Sequence, residues 1–347
     1  MKIEVKKLDC PSCGADLRCE CEKLSCAYCG YAEKVSLQPA MPRFVPVYQV
    51  EPKSEAKEYQ CVSCGAVFST DSVATLCPYC ETALIGEFIN ALQPYTLIPF
   101  TMCKKEAKKR IKKHIRSLWF APDDFIKDYR KHKEIRPYYY PLWLFNMDVS
   151  VEYEGRRGKY YYITKTRYIN GKPAQVQERR TRWYPASGVV NLQFYNISVG
   201  GYKFASSMLR ELRFELTSCS GVDKKCLSGI ETKEFDIGSK EATILAHTSL
   251  HSAIRRAIRQ DIGGDTQQII SYTPYFYNEE MSYILVPIYH FSVKFKGKEY
   301  NYFVNGQSGD VVGERPYSWI KIFFFVLFVL SLMGGILYIL ERLGCLS

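Results

Sequence analysis

The chain has 347 residues, 47% of them hydrophobic and 24% charged, with a formal net charge of +11. That length accommodates two or three domains, and that apolar share excludes a wholly disordered chain. Fourteen cysteines with no apolar stretch in Met1 to Asp9 argue against a secretory signal and place the thiols in a reducing compartment, where cysteine clusters bind metal more often than they form disulfides.

The N-terminal part repeats one unit. Cys-x2-Cys, twelve residues, Cys-x2-Cys runs from Cys10 to Cys29 and again from Cys61 to Cys80, offset by 51 residues. The quartets Cys10, Cys13, Cys26, Cys29 and Cys61, Cys64, Cys77, Cys80 are expected to form two zinc ribbons. A two-residue spacer lets both sulfurs of a knuckle reach one tetrahedral Zn2+ at about 2.3 Å. Four thiolates leave no open position for water or substrate, so both ions are expected to be structural. Gly14, Gly30 and Gly65 follow knuckle cysteines, where positive φ turns backbone amides towards sulfur. The expected units are ribbons at residues 1–37 and 59–90, joined by an extended linker at 38–58 that Pro39, Pro42, Pro46 and Pro52 interrupt. Nothing in that linker requires the ribbons to be rigidly related. Cys19 and Cys21, between the first knuckles, are open to three readings: substitute ligands, redox-active thiols, or ordinary thiols on the connecting hairpin. Cys103, Cys219, Cys226 and Cys345 have no knuckle partner and are expected to be packed thiols.

Residues 95–316 read as an α+β cytoplasmic domain with an antiparallel sheet. Met102 to Trp119 is an amphipathic helix with Cys103, Ala107, Ile111, Ile115 and Leu118 on one arc. A short helix follows at Pro122 to Lys133, with Asp123 and Asp124 in its first turn. Strands are predicted at Tyr138 to Glu154, Tyr160 to Tyr168 and Ala174 to Trp183, with a reversal at Asn170-Gly171. Lys240 to Ile262 returns to helical period and ends at Gly263-Gly264. Three strands close the domain, at Tyr283 to Phe295, Lys298 to Val304 and Asp310 to Gly313.

Ile322 to Leu340 contains no charge over nineteen residues, the length of a transmembrane helix, and residues 319–341 are taken as the span. Trp319 and Tyr338 suit the two interfaces, and Lys321 and Arg342 the ends. The expected topology is a single-pass, tail-anchored protein of the cytoplasmic membrane with the bulk of the chain in the cytoplasm.

Charge is concentrated at Lys104 to Arg116, eight bases against Glu106. Such a helix suits anionic lipid headgroups, nucleic acid phosphates, or simple solvation with its apolar side packed inward. His247 and His251 are spaced for a helical metal pair, but no Glu follows His247 as a zincin requires, so a core or edge role is expected. Tyr138 to Tyr140 and Tyr160 to Tyr162 suit base stacking or, by strand alternation, packing. The phosphate loop, the dinucleotide glycine motif, the nucleophile elbow and His-Glu-x2-His are all missing, so no enzyme is expected and no catalytic or further cofactor residue is assigned.

The paired ribbons lead into Ile98-Pro99-Phe100, Trp119-Phe120-Ala121-Pro122 and Tyr140-Pro141-Leu142-Trp143-Leu144-Phe145. Late in the chain come Val286-Pro287-Ile288-Tyr289, Val304-Asn305-Gly306-Gln307-Ser308-Gly309 and Val312-Gly313-Glu314-Arg315-Pro316. Together these resemble a bacterial family of tail-anchored zinc-ribbon membrane proteins, often labelled TFIIB-type zinc finger or primosomal-helicase-like. Some members are encoded beside flotillin-like SPFH proteins. The resemblance implies recruitment of such a partner to the membrane in envelope stress, and the lack of a phosphate loop sets the helicase label aside. The closed zinc sites, the terminal span and the absent catalytic motifs lead to the expectation of a non-enzymatic adaptor. The alternative is a membrane-tethered nucleic-acid-binding protein. Against it, residues 1–30 carry as many acids as bases, whereas a ribbon on phosphates should be basic.

Overall fold

Three long strands carry the architecture of this computed structural model, which describes residues 2–20, 23–53, 57–129, 134–169 and 172–342. They are Arg136–Ile169, Lys172–Gly200 and Thr266–Phe295, of 34, 29 and 30 residues. Arg136–Ile169 is central and pairs antiparallel with both others. Its alternation sets the faces: Val149, Val151 and Tyr153 are buried, while Glu152 and Glu154 are exposed. Near the start of the strand, Tyr139 to Phe145 is buried on both faces.

Separate strands are expected on either side of residues 155–159, a span that includes Gly155 and Gly158. The strand instead runs through, because those glycines mark close approach and not a turn. A Cβ on Gly155 would lie 2.6 Å from the Gln268 carbonyl oxygen and 2.7 Å from Ile262 Cδ1. The Asn170-Gly171 reversal lies outside the described residues. The returning strand, expected to stop at Trp183, continues to Gly200.

Helix Ser239–Ile262 packs on the inner face of these strands, burying Ala242, Ala246, Leu250, Ile254, Ile258 and Ile262 in a four-residue stripe. Gly263, at φ +65°, ends it. In the body core Trp143 is fully buried and donates its indole N–H to the Ile237 carbonyl at 3.0 Å. Emptying that position would cost about 3–5 kcal/mol. The basic helix is Lys104–Ser117, burying Ala107, Ile111 and Ile115, and a short helix, Asp123–Tyr129, follows. The closing strands are Lys298–Asn305 and Val311–Gly313, both antiparallel. The sheet is antiparallel in the main, with parallel joins where Thr96–Leu97 meets Thr266–Phe295 and Glu231–Lys233 meets Arg136–Ile169.

The segment expected as an extended linker is docked on the body along its described length. Pro39 bridges to Ser220, Val45–Pro46 pairs with Glu280 and Met281, and the Val50 amide donates to Ser239 Oγ at 2.8 Å. Proline interrupts hydrogen-bond ladders, yet it does not stop an extended chain from lying on a sheet edge.

Helix Trp319–Arg342 leaves the body, and Trp319–Leu340 is long and apolar enough to cross a membrane, with none of its most apolar window buried inside the protein. At about 1.5 Å per residue its 22 residues reach about 33 Å, close to the hydrocarbon thickness of a bilayer. Its base is clipped to the turn after the basic helix. The Ser318 amide donates to the Phe120 carbonyl at 2.7 Å, and Lys321 Nζ reaches the Ala121 carbonyl at 2.9 Å and Asp123 at 2.7 Å. Phe120 and Phe325 meet edge to face, with centroids 5.4 Å apart.

Candidate metal centres

Both predicted quartets assemble. In each, the four sulfurs lie within 4.8 Å of one another. Cys10 and Cys29 are 3.5 Å apart, Cys13 and Cys26 3.6 Å, Cys61 and Cys80 3.6 Å, and Cys64 and Cys77 3.8 Å. Four sulfurs at about 2.3 Å from one tetrahedral centre sit about 3.8 Å from each other, so each quartet can hold a metal ion. Within every Cys-x2-Cys the first cysteine is buried and the second exposed.

The backbone explains why these segments fold this way. Each first cysteine donates its amide to the carbonyl five residues on: Cys10 to Ala15, Cys26 to Tyr31, Cys61 to Ala66, Cys77 to Thr82. Each also accepts from the amide four residues on, at Gly14, Gly30, Gly65 and Glu81. Those four residues all have positive φ, +74°, +76°, +76° and +58°. The fourth knuckle therefore has the same turn without the glycine, a feature the sequence reading missed. The offset of four from Cys77 was the signal that could have found it.

The same turns tune the thiols. The Thr82 hydroxyl, 3.2 Å from Cys80 Sγ, and then the Thr82 amide draw that thiol down to about 6. Amides of Cys29 and Tyr28 draw Cys26 down to about 7. Cys13 and Cys64 move the other way. Against the pull of the Ala15 amide, the sulfurs of Cys26 and Cys29 push Cys13 up to about 12; against that of Ala66, Cys80 does the same to Cys64. Neighbouring thiolates repel, and a divalent cation among them supplies the opposing charge.

The ribbons are fixed to each other and to the body. Strand Lys2–Ile3 pairs with Lys57–Gln60 of the second ribbon, and Lys6 exchanges backbone hydrogen bonds with Ile85. Arg18 donates to the Glu81 carbonyl at 2.6 Å, and the Asp16 carboxylate accepts from both Arg18 and the Ala83 amide. Ser228 donates to the Leu17 carbonyl at 2.6 Å, and strand Ser72–Leu76 joins the body sheet through Glu231–Lys233.

The other expected candidates are not drawn into a metal site. Cys19 is half-buried against the core and outside the quartet, while Cys21 and Cys345 lie outside the described residues. Cys219 and Cys226 are buried. Cys103 departs from the expected packed thiol and is disulfide-bonded. His247 stacks on Phe276 at 3.7 Å and bonds Glu279 at 2.7 Å; His251 bonds the Tyr272 hydroxyl at 2.9 Å. Each histidine thus has its own partner, the edge role expected.

Two tetra-cysteine knuckle centres on an α+β body with one apolar C-terminal helix define a zinc-ribbon-like architecture. The chain is similar to a protein of Bacillus subtilis (strain 168) described as "Uncharacterized protein YdjG". The two are 28% identical over 321 residues, which cover 90% of this chain and 91% of the relative. No protein-family model and no solved structure matches the chain.

Proposed function

We propose that the chain is a non-enzymatic adaptor, anchored in the cytoplasmic membrane by its C-terminal helix, with zinc in both quartets and its knuckles offered to a protein partner in the cytoplasm. The observation that carries this reading is a pair of tyrosines. Tyr28 and Tyr79 stand at equivalent positions in the second knuckle of each ribbon, 78% and 70% exposed. Tyrosines held by a rigid turn lose little entropy on contact and are favoured anchors at protein interfaces. The family resemblance suggests an SPFH or flotillin-like partner. The clipped base supports a body held close to the bilayer, and the exposed lysines of the basic helix suit anionic headgroups.

The test is crosslinking and capture of the intact membrane protein with an SPFH-like protein, comparing wild type with Tyr28→Ser/Tyr79→Ser and Cys61→Ser/Cys64→Ser. Two zinc ions per chain and loss of capture in both variants are expected. Capture that survives the tyrosine substitutions removes the knuckles as the docking surface. A membrane-tethered nucleic-acid-binding protein is the second reading, favoured by the nine lysines and arginines against one acid in residues 156–184.

A further inference from the structure

The basic helix is matched in charge by a second concentration, which the sequence reading divided between two strands. Residues 156–184 carry nine lysines or arginines against one acid, Glu178. Those among the described residues, 156–169 and 172–184, form the outer end of the long antiparallel pair of strands. The third strand stops pairing at Gly158, opposite Thr266, and beyond it the hairpin strands pair only with each other among the described residues. From Gly158 to Ile169 the arm reaches about 40 Å at about 3.4 Å per residue.

Register sorts its side chains by face. Lys159, Lys165, Arg167, Arg180 and Arg182 share one face with Tyr161; Tyr160, Tyr162, Tyr168 and Trp183 share the other with Arg179, and all are exposed. The Arg179 guanidinium lies 4.4 Å over the Tyr160 ring, and Arg182 lies 5.3 Å over Tyr161. Lys159 and Arg182 are direct cross-strand partners, a like-charge pairing that destabilises a sheet unless an anion sits between. Charges of either sign would protect an unpartnered edge from aggregation, so protection alone does not explain the seven bases against one acid that lie beyond Gly158. Among the described residues Glu178 answers Lys165, at 2.7 Å, and Arg180, at 3.3 Å.

The arm also points away from the anchor. Phe295, at the other end of strand Thr266–Phe295, touches Phe125 in the helix whose Asp123 holds Lys321. A strand of 30 residues separates that end from the level of Gly158. That placement favours a soluble polyanion over headgroups of the bilayer that holds the anchor.

We propose that the outer hairpin is a nucleic-acid-binding arm. Its basic face takes phosphates without regard to sequence, and its aromatic face offers stacking to unpaired bases. A two-stranded ribbon also fits the major groove, about 12 Å wide. This surface is separate from the ribbons and stands whether or not they dock a partner.

The experiment uses full-length protein in nanodiscs of phosphatidylcholine, with a labelled duplex and a single strand of the same sequence, followed by fluorescence anisotropy across a salt series. Binding that weakens steeply with salt is expected. Replacing Arg180→Gln and Arg182→Gln should flatten the slope of log K against log salt by about 2 and weaken binding about tenfold or more near 0.1 M salt. The variant Lys112→Gln/Lys113→Gln/Arg116→Gln should bind as wild type does. Zinc content and near-ultraviolet circular dichroism confirm that both variants are folded. Tighter binding of single strand than duplex assigns the aromatic face a share, and the reverse assigns groove contact. Absence of salt-dependent binding, an unchanged Arg180/Arg182 variant, or equal displacement by polyglutamate of matched charge would overturn the proposal, the last in favour of an acidic protein surface.

Discussion

Lys57 Nζ lies 2.5 Å from Glu234 Oε2, with the two side chains only 2% and 7% exposed. The other carboxylate oxygen of Glu234 accepts from the amides of Ile89 and Asn90, at 2.8 and 3.1 Å. One acid therefore holds both ends of the second ribbon to the body. Beside it Lys233 spans Asp71 at 2.6 Å and Glu231 at 2.8 Å.

Removing one partner of such a pair leaves a buried charge uncompensated. Glu234→Gln or Lys57→Met alone should cost about 3–5 kcal/mol, and the double variant Lys57→Met/Glu234→Leu much less than the two together. Denaturant unfolding of the full chain in detergent measures all three. Burial holds the Lys57 ammonium below its usual 10.5, outweighing the pull of Glu234. The unfolded chain therefore binds this proton more tightly than the folded one. The Lys57 contribution should rise as pH climbs from the lowered value towards 10.5, a rise that Lys57→Met abolishes.

Glu81 sits at φ +58°, where the other three knuckles use glycine. A Cβ in that region costs roughly 1 kcal/mol or more, and the Arg18 contact at this position uses only the backbone carbonyl. Glu81→Gly should stabilise the second ribbon by about 1 kcal/mol. Slower hydrogen exchange at the Cys77 and Thr82 amides, with no change at Cys10, would show it; faster exchange would refute it.

The legible parts of this fold were those set by local spacing. Two-residue spacers fix the sulfurs of a knuckle whatever surrounds them, and the stripe from Leu250 to Ile262 announces its helix through period alone. What failed was set by partners distant in sequence. The gap expected at residues 155–159 is strand because Gly155 admits the Ile262 side chain and the Gln268 carbonyl, and Gly158 the side chains of Thr266, Thr181 and Trp183. Pro39 to Pro52 read as a tether because Ser220, Met281 and Ser239 hold it from far along the chain. The basic hairpin escaped notice because alternation spreads its charge over two strands whose pairing no wheel or window joins.

Thr82 offers a pH test of the second centre. Its hydroxyl and amide lower the Cys80 thiol to about 6, so protons compete for that sulfur only in mildly acidic solution. Thr82→Val removes the hydroxyl and keeps the amide, raising the thiol towards its usual 9. A higher value lets protons displace metal sooner as pH falls, so zinc release from this ribbon should shift to higher pH while the first ribbon is unmoved. A chromogenic chelator read across a pH series, with Cys10→Ser/Cys13→Ser removing the first centre, separates the two. Coincident curves for Thr82→Val and its parent would remove the hydroxyl from the account.

The anchor and the basic helix share one end of the molecule. Trp119, 81% exposed, ends the turn that leaves the helix, and Trp319, 82% exposed, opens the apolar helix clipped to that turn. Exposed tryptophans at the base of a membrane helix suit the headgroup layer, and Lys112, Lys113 and Arg116 are exposed on the last turns of the basic helix beside them. Bases near an anionic surface contribute about 1 kcal/mol each, screened over about 10 Å at 0.1 M salt. Full-length protein in vesicles of mixed phosphatidylglycerol and phosphatidylcholine should therefore gather labelled phosphatidylglycerol around itself, measured by energy transfer from tryptophan. Lys112→Gln/Lys113→Gln/Arg116→Gln should reduce that enrichment, and raised salt should do the same to wild type. The Arg180→Gln/Arg182→Gln variant should leave it intact, since the arm lies at the far end of the long strands. Enrichment lost in the hairpin variant and kept in the helix variant would reverse the assignment of the two basic surfaces.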